Sequence, residues 1–357
     1  MLSLATRNLK LANYDRLSMK ILIIDLDNVG DVVMASFLPR ALKELYPHSY
    51  IGVLVKEYSQ DILRHNPFVD ELIIFNPPWL GDLLNRRFSW RRTKSLAGKL
   101  KNSRFDLAII INSDWRKALL AKIAGIPSRI GADKKRSSLF LTVPVKYDND
   151  PAKHTVQENL DLLKALGYKK NEIKLEVFID DDTLHWAEGI LEKNNLGRQE
   201  SLIGIHPGAG HPARIWPAEN YVKLIDALEQ DPKVKVMVVG SHGDHIIKEI
   251  KDKTNKYKVI FFLNISVLQM AALFRQCACV IAQDSGPMHL AATVGAKTIA
   301  IFGPSNPRKF GPYGPGHSVI RKEMPCSPCG SDPECNRLDC LKNISVNEVL
   351  EKVKEVL

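Results

Sequence analysis

The sequence predicts an α/β protein made of two doubly wound parallel sheets in tandem. Three observations predict it: short unbroken apolar runs, helical patterns between them, and a restart of the alternation near residue 200. At 357 residues the chain is long enough for two domains, each able to bury its own core. With 45% hydrophobic and 25% charged residues it reads as globular, which excludes disordered and fibrous classes.

In the first half, strands are predicted over 21–24, 51–55, 71–75 and 107–111. These Ile-, Val- and Leu-rich runs lack polar alternation, as strands covered on both faces do. Helices are predicted between them over 31–46, 59–64, 93–101 and 115–124, giving right-handed βαβ units. After the polar stretch 192–200 the pattern restarts. Strands at 202–205, 234–239, 259–262, 280–282 and 298–302 alternate with helices near 218–230, 244–253, 267–276 and 288–294. Ser345-Val346-Asn347-Glu348 then opens a capped helix whose apolar face is Val349, Leu350, Val353 and Val356. The expected divisions are an extension 1–18, an N-terminal domain 19–190, a C-terminal domain 198–344 and a terminal helix 345–357.

Fifty Lys and Arg against forty Asp and Glu give a formal charge of +10, which favours polyanionic partners. Residues 83–105 hold Arg86, Arg87, Arg91, Arg92, Lys94, Lys99, Lys101 and Arg104, with Phe88 and Trp90 among them and no acid. Such a run is either a solvated helix face or a dock for an anionic surface. The longest apolar region, 259–274, is interrupted by Asn264, Ser266 and Gln269, so no membrane span is expected. The N-terminus lacks the apolar core of a secretory signal, and a reducing cytoplasmic setting is expected.

Ligands of open parallel sheets bind beyond the carboxyl ends of strands, so polar clusters there carry the functional reading. After the first strand come Asp25-Leu26-Asp27-Asn28-Val29-Gly30-Asp31. Asp31, in the first turn of a helix, is either a cap or a carboxylate general base. His206-Pro207-Gly208-Ala209-Gly210 follows the first strand of the second half, and its two glycines allow backbone amides to wrap a phosphate. It lacks the third glycine of the dinucleotide fingerprint and the Gly-Lys-Ser/Thr of a P-loop. Nearby Arg214 is a phosphate partner or a plain surface arginine. Asp284-Ser285-Gly286-Pro287-Met288-His289 is the most specific cluster: a helix N-terminus offering amides to an anion, with Asp284 at the strand end and His289 one turn in. Asp244, in Gly240-Ser241-His242-Gly243-Asp244, accepts from ribose hydroxyls or caps its helix. Cys326, Cys329, Cys335 and Cys340 form a C-x2-C-x5-C-x4-C loop that suits a zinc or iron–sulfur site, or simply buries thiols. Cys277 and Cys279 read as packing residues.

In this order, Lys20-Ile-Leu-Ile-Ile with Asn28-Val-Gly-Asp-Val-Val33, His206-Pro-Gly-Ala-Gly210 with Arg214-Ile-Trp-Pro217, and Asp284-Ser-Gly-Pro-Met-His289 closely resemble glycosyltransferase family 9, the ADP-heptose:lipopolysaccharide heptosyltransferases. The resemblance runs from Met19 to the C-terminus. It implies a GT-B fold, two Rossmann-like domains facing a central cleft, and inverting transfer of heptose from ADP-heptose to the lipopolysaccharide inner core. It places the base on Asp31 and the donor-phosphate contact on Arg214. The diphosphate-holding residues fall on Asp284, Ser285, Gly286 and His289, and the nucleoside contact falls near Asp244. Two departures stand out. Members often carry a basic residue at position 25 and Ser or Thr at 27, where this chain has Asp; and Arg214 replaces a lysine.

The mechanism implied is one displacement at the anomeric carbon, with the departing ADP stabilised by Arg214, the amides near Ser285 and His289. No metal is required by that set, and no Asp-x-Asp follows a strand in the second domain. The expected partners are the nucleotide sugar, a phosphorylated lipid acceptor and the anionic inner face of the cytoplasmic membrane. Nucleic acid is not expected, since no RRM, KH or helix-turn-helix pattern is present. The alternatives are a relative using another nucleotide sugar and a non-catalytic nucleotide- or polyanion-binding protein.

Overall fold

The structure, a computed structural model, describes residues 19–77, 90–134, 136–194, 196, 201–254, 259–330, 335 and 337–357. The expected extension 1–18 and the basic residues Arg86 and Arg87 lie outside them. By contacts the chain divides into two units, Met1–Asp150 with Thr155–Phe178, and Pro151–His154 with Ile179–Leu357.

The first unit holds β1 (Lys20–Asp25), β2 (Tyr50–Val55), β3 (Glu71–Ile74), β4 (Leu107–Ile110), β5 (Ser128–Ala132) and β6 (Val143–Val145). They form one parallel sheet in the order β3-β2-β1-β4-β5-β6. Its helices are α1 (Val29–Ala35), α2 (Leu38–Leu45), α3 (Trp90–Ser103), α4 (Trp115–Ile123) and α5 (Thr155–Ala165). Every residue of β1 after Lys20 is buried. Leu22 and Ile24 face a core with Leu54, Leu96, Leu100, Phe105 and Ile110. Each such side chain contributes about 1.5–3 kcal/mol on burial, which is why the runs contain no polar residue until the strand ends.

The second unit repeats the plan with β7 (Ser201–His206), β8 (Val234–Gly240), β9 (Val259–Leu263), β10 (Cys279–Gln283), β11 (Lys297–Phe302) and β12 (Ser318–Arg321). Their order is β12-β11-β10-β7-β8-β9, again parallel throughout. The helices are α6 (Asp181–Lys193), α7 (Ala218–Leu228), α8 (His245–Lys253), α9 (Val267–Arg275), α10 (Gly286–Thr293), α11 (Pro307–Phe310), α12 (Asp339–Lys342) and α13 (Val346–Lys354). Ile203, Ile205, Val236 and Val238 point to one core, and Met237, Val239, Val280 and Ala282 to the other. Period-two alternation between two apolar cores means that both faces are covered. Numbered within each unit, both sheets have the order 3-2-1-4-5-6. The winding reverses between β1 and β4 in one and between β7 and β10 in the other, which is where such sheets bind ligands.

Four differences from the sequence reading have local causes. The helix expected over 31–46 is split into α1 and α2 because Pro39 lacks an N–H and would clash with the carbonyl one turn earlier. The helix expected over 59–64 is a 3-10 segment, Glu57–Ile62. Short β5, β6 and β12, together with α5 and α6, carry weaker patterns and complete the sheets and their covering layers. The division falls at residue 178 rather than 190–200, since α6 buries Ala187 and Leu191 in a core of the second unit. The capped C-terminal helix is present. Ser345 Oγ accepts from the Glu348 N–H at 3.3 Å, and the Ser345 N–H donates to Glu348 Oε2 at 2.9 Å.

Trp216 ties the loop after β7 to the C-terminal segment. It is fully buried, donates from Nε1 to the Ile344 carbonyl at 3.0 Å, and meets Tyr221 edge-on at 5.0 Å. Trp216→Ala is expected to destabilise the second unit by about 3–5 kcal/mol in denaturant unfolding followed by circular dichroism.

Candidate active site

In the first unit the chemistry gathers at the ends of β1 and β4. Asn28, extended at φ −83°, is the N-cap of α1, and Asp31 is the third helical residue rather than the cap. The Asn28 N–H donates to Asp31 Oδ2 at 3.2 Å, and the Asn28 side chain accepts from the Tyr58 hydroxyl at 2.6 Å. The Lys56 ammonium donates to that hydroxyl at 3.0 Å. Gly30 is buried and helical, so its use is close packing rather than a left-handed turn. Burial pushes the Asp31 carboxyl up to about 6, the Asp27 charge adds to the rise, and the Asn28 N–H and Lys117 oppose it. A carboxylate with a midpoint there is a stronger base than an ordinary aspartate and still ionised at pH 7. Asn112, Lys134, Thr155, Glu158 and Asn159 line a small cavity beside it.

Two further acids and a lysine complete this corner. Asp25 is 1% exposed, and neither carboxyl oxygen has a hydrogen-bond partner. Asp27 pairs with Lys117, whose side chain is 2% exposed and also donates to the Ile111 carbonyl at 3.1 Å. Lys117 was not singled out from sequence. Its signal is weak: one of two lysines on α4, ninety positions from its partner.

In the second unit Arg214 ends a 3-10 turn, Pro212–Arg214, after β7. Its Nη1 lies 3.1 Å from Oδ2 of Asp284, which is 5% exposed at the end of β10. The pair bridges the two strands between which the winding reverses. Burial raises the Asp284 carboxyl and the guanidinium opposes that rise. Ser285 is the N-cap of α10, but its hydroxyl turns back to donate to the Gln283 carbonyl at 3.2 Å. No side chain therefore caps the first turn, where Gly286 stands, and Pro287 at its start has no N–H to leave unpaired. Such a terminus suits an anion.

His206, Gly208 and Asp244 form a second group. A Cβ on Gly208 would stand 3.3 Å from His206 Cε1 and 3.4 Å from Asp244 Oδ2, so glycine lets the three approach. Asp244 occupies the N-cap position of α8, yet its carboxylate accepts from the Ser241 N–H at 3.2 Å instead of capping the helix. Gly210 stands apart: it is exposed, and a Cβ there would meet nothing within 4 Å. Neither Gly208 nor Gly210 takes a positive φ.

Two histidines of this unit, His206 and His289, are buried and neutral. Burial pulls His206 down to about 4, against the opposing Asp244 charge; it pulls His289 to about 3, helped by His154. The Nδ1 atoms of His206 and His289 have no partner. His289 therefore offers a hydrogen bond rather than a positive charge at neutral pH.

Cys326, Cys329, Cys335 and Cys340 line one small cavity with Asp339, Arg337 and Ala213, the neighbour of Arg214. Burial raises the Cys340 thiol, and the other three cysteines raise it further. Among the described residues no three His, Cys, Asp or Glu side chains stand in an arrangement that holds a metal ion. Cys277 and Cys279 are buried packing residues. On α3 the outward positions Arg91, Arg92, Lys94, Lys99 and Lys101 are exposed, and Leu96, Ala97 and Leu100 are buried. Among the described residues no helix is long and apolar enough to cross a membrane.

The model of the family described as glycosyltransferase family 9 (heptosyltransferase) matches residues 93–338, more than half of the chain. The chain belongs to glycosyltransferase family 9. Among family 9 relatives, the lipopolysaccharide heptosyltransferase 2 of Escherichia coli K12 is 29% identical over 316 residues, covering 85% of this chain and 88% of that protein. The glycosyl transferase family 9 structure from Veillonella parvula DSM 2008 matches with a TM-score of 0.83 at 24% identity, covering 96% of this chain and 98% of that one. An E. coli heptosyltransferase structure with ADP matches at 0.71 and 20% identity, covering 95% and 100%. The shared architecture is the GT-B class with its two Rossmann-like units, as the family 9 resemblance implied.

The two histidines give a direct check on this geometry. Their depressed folded values mean that the stability from keeping them neutral is intact above about pH 6.5 and falls as pH drops towards 4, because the unfolded chain takes up protons first. The expected outcome is that the ring-nitrogen NMR shifts of His206 and His289 remain those of neutral imidazole from pH 8 to 5.

Proposed function

We propose that this glycosyltransferase moves heptose from ADP-heptose, with inversion, to a hydroxyl of a phosphorylated, lipid-linked lipopolysaccharide inner-core acceptor. The observation that carries the reading is the Asp31 carboxylate, half-buried in the first turn of α1 with its midpoint raised to about 6. Asp31 takes the proton of the acceptor hydroxyl as that oxygen bonds to the anomeric carbon. The bond from the anomeric carbon to the diphosphate breaks, and ADP leaves with the electron pair.

The Arg214 guanidinium and the first-turn amides of α10 meet the charge on the departing diphosphate, and neutral His289 supplies a hydrogen bond. Asp284 holds Arg214 in place. Asp244, against His206 and Gly208, takes the nucleoside hydroxyls. This set calls on no metal for the transfer. The relatives named heptosyltransferases and the ADP-bearing structure support the donor.

The exposed basic face of α3 suits peripheral docking on the anionic cytoplasmic side of the inner membrane, where such an acceptor lies. The four cysteines line one cavity beside the Arg214 loop without standing in a metal-holding arrangement, so the loop is read as held by packing. Elemental analysis of the purified protein is expected to find no stoichiometric zinc or iron, and one equivalent per chain would overturn that reading.

Turnover of ADP-heptose with a lipid A–Kdo acceptor tests the whole reading. Asp31→Asn is expected to lower kcat at least about 1,000-fold while ADP still raises the melting temperature. Ionised Asp31 is the active form, so wild-type kcat/KM should rise with pH through about 6 and level above pH 7. Stabilisation by UDP, GDP or NAD instead of ADP favours another donor. ADP binding without turnover on any sugar acceptor favours a binding protein.

A further inference from the structure

The corner around Asp31 holds more acid than its cation balances. Asp25, Asp27 and Asp31 lie within seven residues, at and just beyond the end of β1. The ammonium buried among them belongs to Lys117, fixed by the Ile111 carbonyl and paired with Asp27. The other groups facing Asp31 are Lys56, on the loop after β2, and the Tyr58 hydroxyl that holds Asn28. Across the small cavity stand Lys134 and Glu158, 4.0 Å from each other.

Three carboxylates ionised together here would repel one another, and one of them, Asp25, pairs with no cation. Neither Asp25 oxygen has a hydrogen-bond partner, and its side chain is sealed from water. An ionised carboxylate in that position would cost several kcal/mol, whereas a neutral acid costs far less. Burial and the neighbouring Asp27 and Asp31 charges hold Asp25 well above the usual carboxylate range, against the opposing charge of Lys117.

We propose that Lys117 is a positioning residue for Asp31: its buried ammonium, fixed by the Ile111 carbonyl, pairs with Asp27 beside Asp31, and the surplus proton of the cluster resides on Asp25. The proposal deepens the assignment of Asp31 as base and rests on it. It also gives a reason for the two acids that depart from the family pattern at 25 and 27. A cation reaching in from α4 serves in place of one on β1.

The test reads Asp31 directly, in the full chain without substrate, by 13C-carboxyl NMR titration with the resonance assigned through Asp31→Asn. Lys117→Met is expected to move the Asp31 midpoint up from its value near 6, because the opposing Lys117 charge is lost. Asp27→Asn is expected to move it down, and the double variant to return it close to wild type. Asp27→Asn keeps the test alive if Lys117→Met does not fold. Asp25→Asn, which mimics the neutral acid, is expected to leave the midpoint where it is.

An Asp31 midpoint unmoved by both Lys117→Met and Asp27→Asn overturns the proposal. So does a midpoint lowered by Asp25→Asn, which would mean that Asp25 carries a charge. The acid limb of kcat/KM is then compared with the NMR midpoints. If the midpoints move and the limb does not, the tuning by Lys117 stands and the reading of Asp31 as base fails.

Discussion

Parallel strands covered on both faces leave polar side chains one place to go, the strand ends, and both units are organised around that constraint. In each sheet the central strands are apolar up to the last residue or two, and the charged groups come just beyond. Asp25 and Asp27 follow this rule at the end of β1, and Asp284 follows it at the end of β10. Because the winding reverses at those strands, two polar ends stand side by side with no crossover helix above them. The sites are consequences of the sheet order.

Burial then decides the chemistry of each group. A desolvated carboxylate either finds a cation or keeps a proton, and the chain uses both solutions. Asp284 has Arg214 and Asp27 has Lys117, while among the described residues Asp25 pairs with no cation. Asp31 lies between these extremes. It has one backbone N–H donor and the opposing charges of Lys117 and Lys56, which is enough to ionise near neutrality and too little to make it an inert cap. Imidazoles obey the same rule with the opposite sign, so His206 and His289 are hydrogen-bonding groups and not cations.

The sheet strands with long Ile- and Val-rich runs were legible in the sequence because their burial on both faces suppresses any other pattern. The three-residue β6 was not, since Val143-Pro144-Val145 is too short to carry a period and its proline is tolerated only at a sheet edge. Asp284, Ser285 and His289 were legible as one cluster because strand, cap and helix follow one another directly. The hydroxyl of Ser285 was not, because a good N-cap residue turns back to its own strand and leaves the helix open. Lys117 was illegible for a different reason. The fold supplies its partner across the sheet from β1, and no local spacing announces a contact between positions 27 and 117.

The account stands on donor recognition by the ends of β7 and β10 while the first turn of α1 supplies the base. Amide hydrogen exchange measured with and without saturating ADP tests that division most directly. The account predicts slowed exchange at Gly286 and Met288 and in the segment 208–214, with residues 25–31 unchanged. Slowing confined to 25–31, with none at the start of α10, would contradict it.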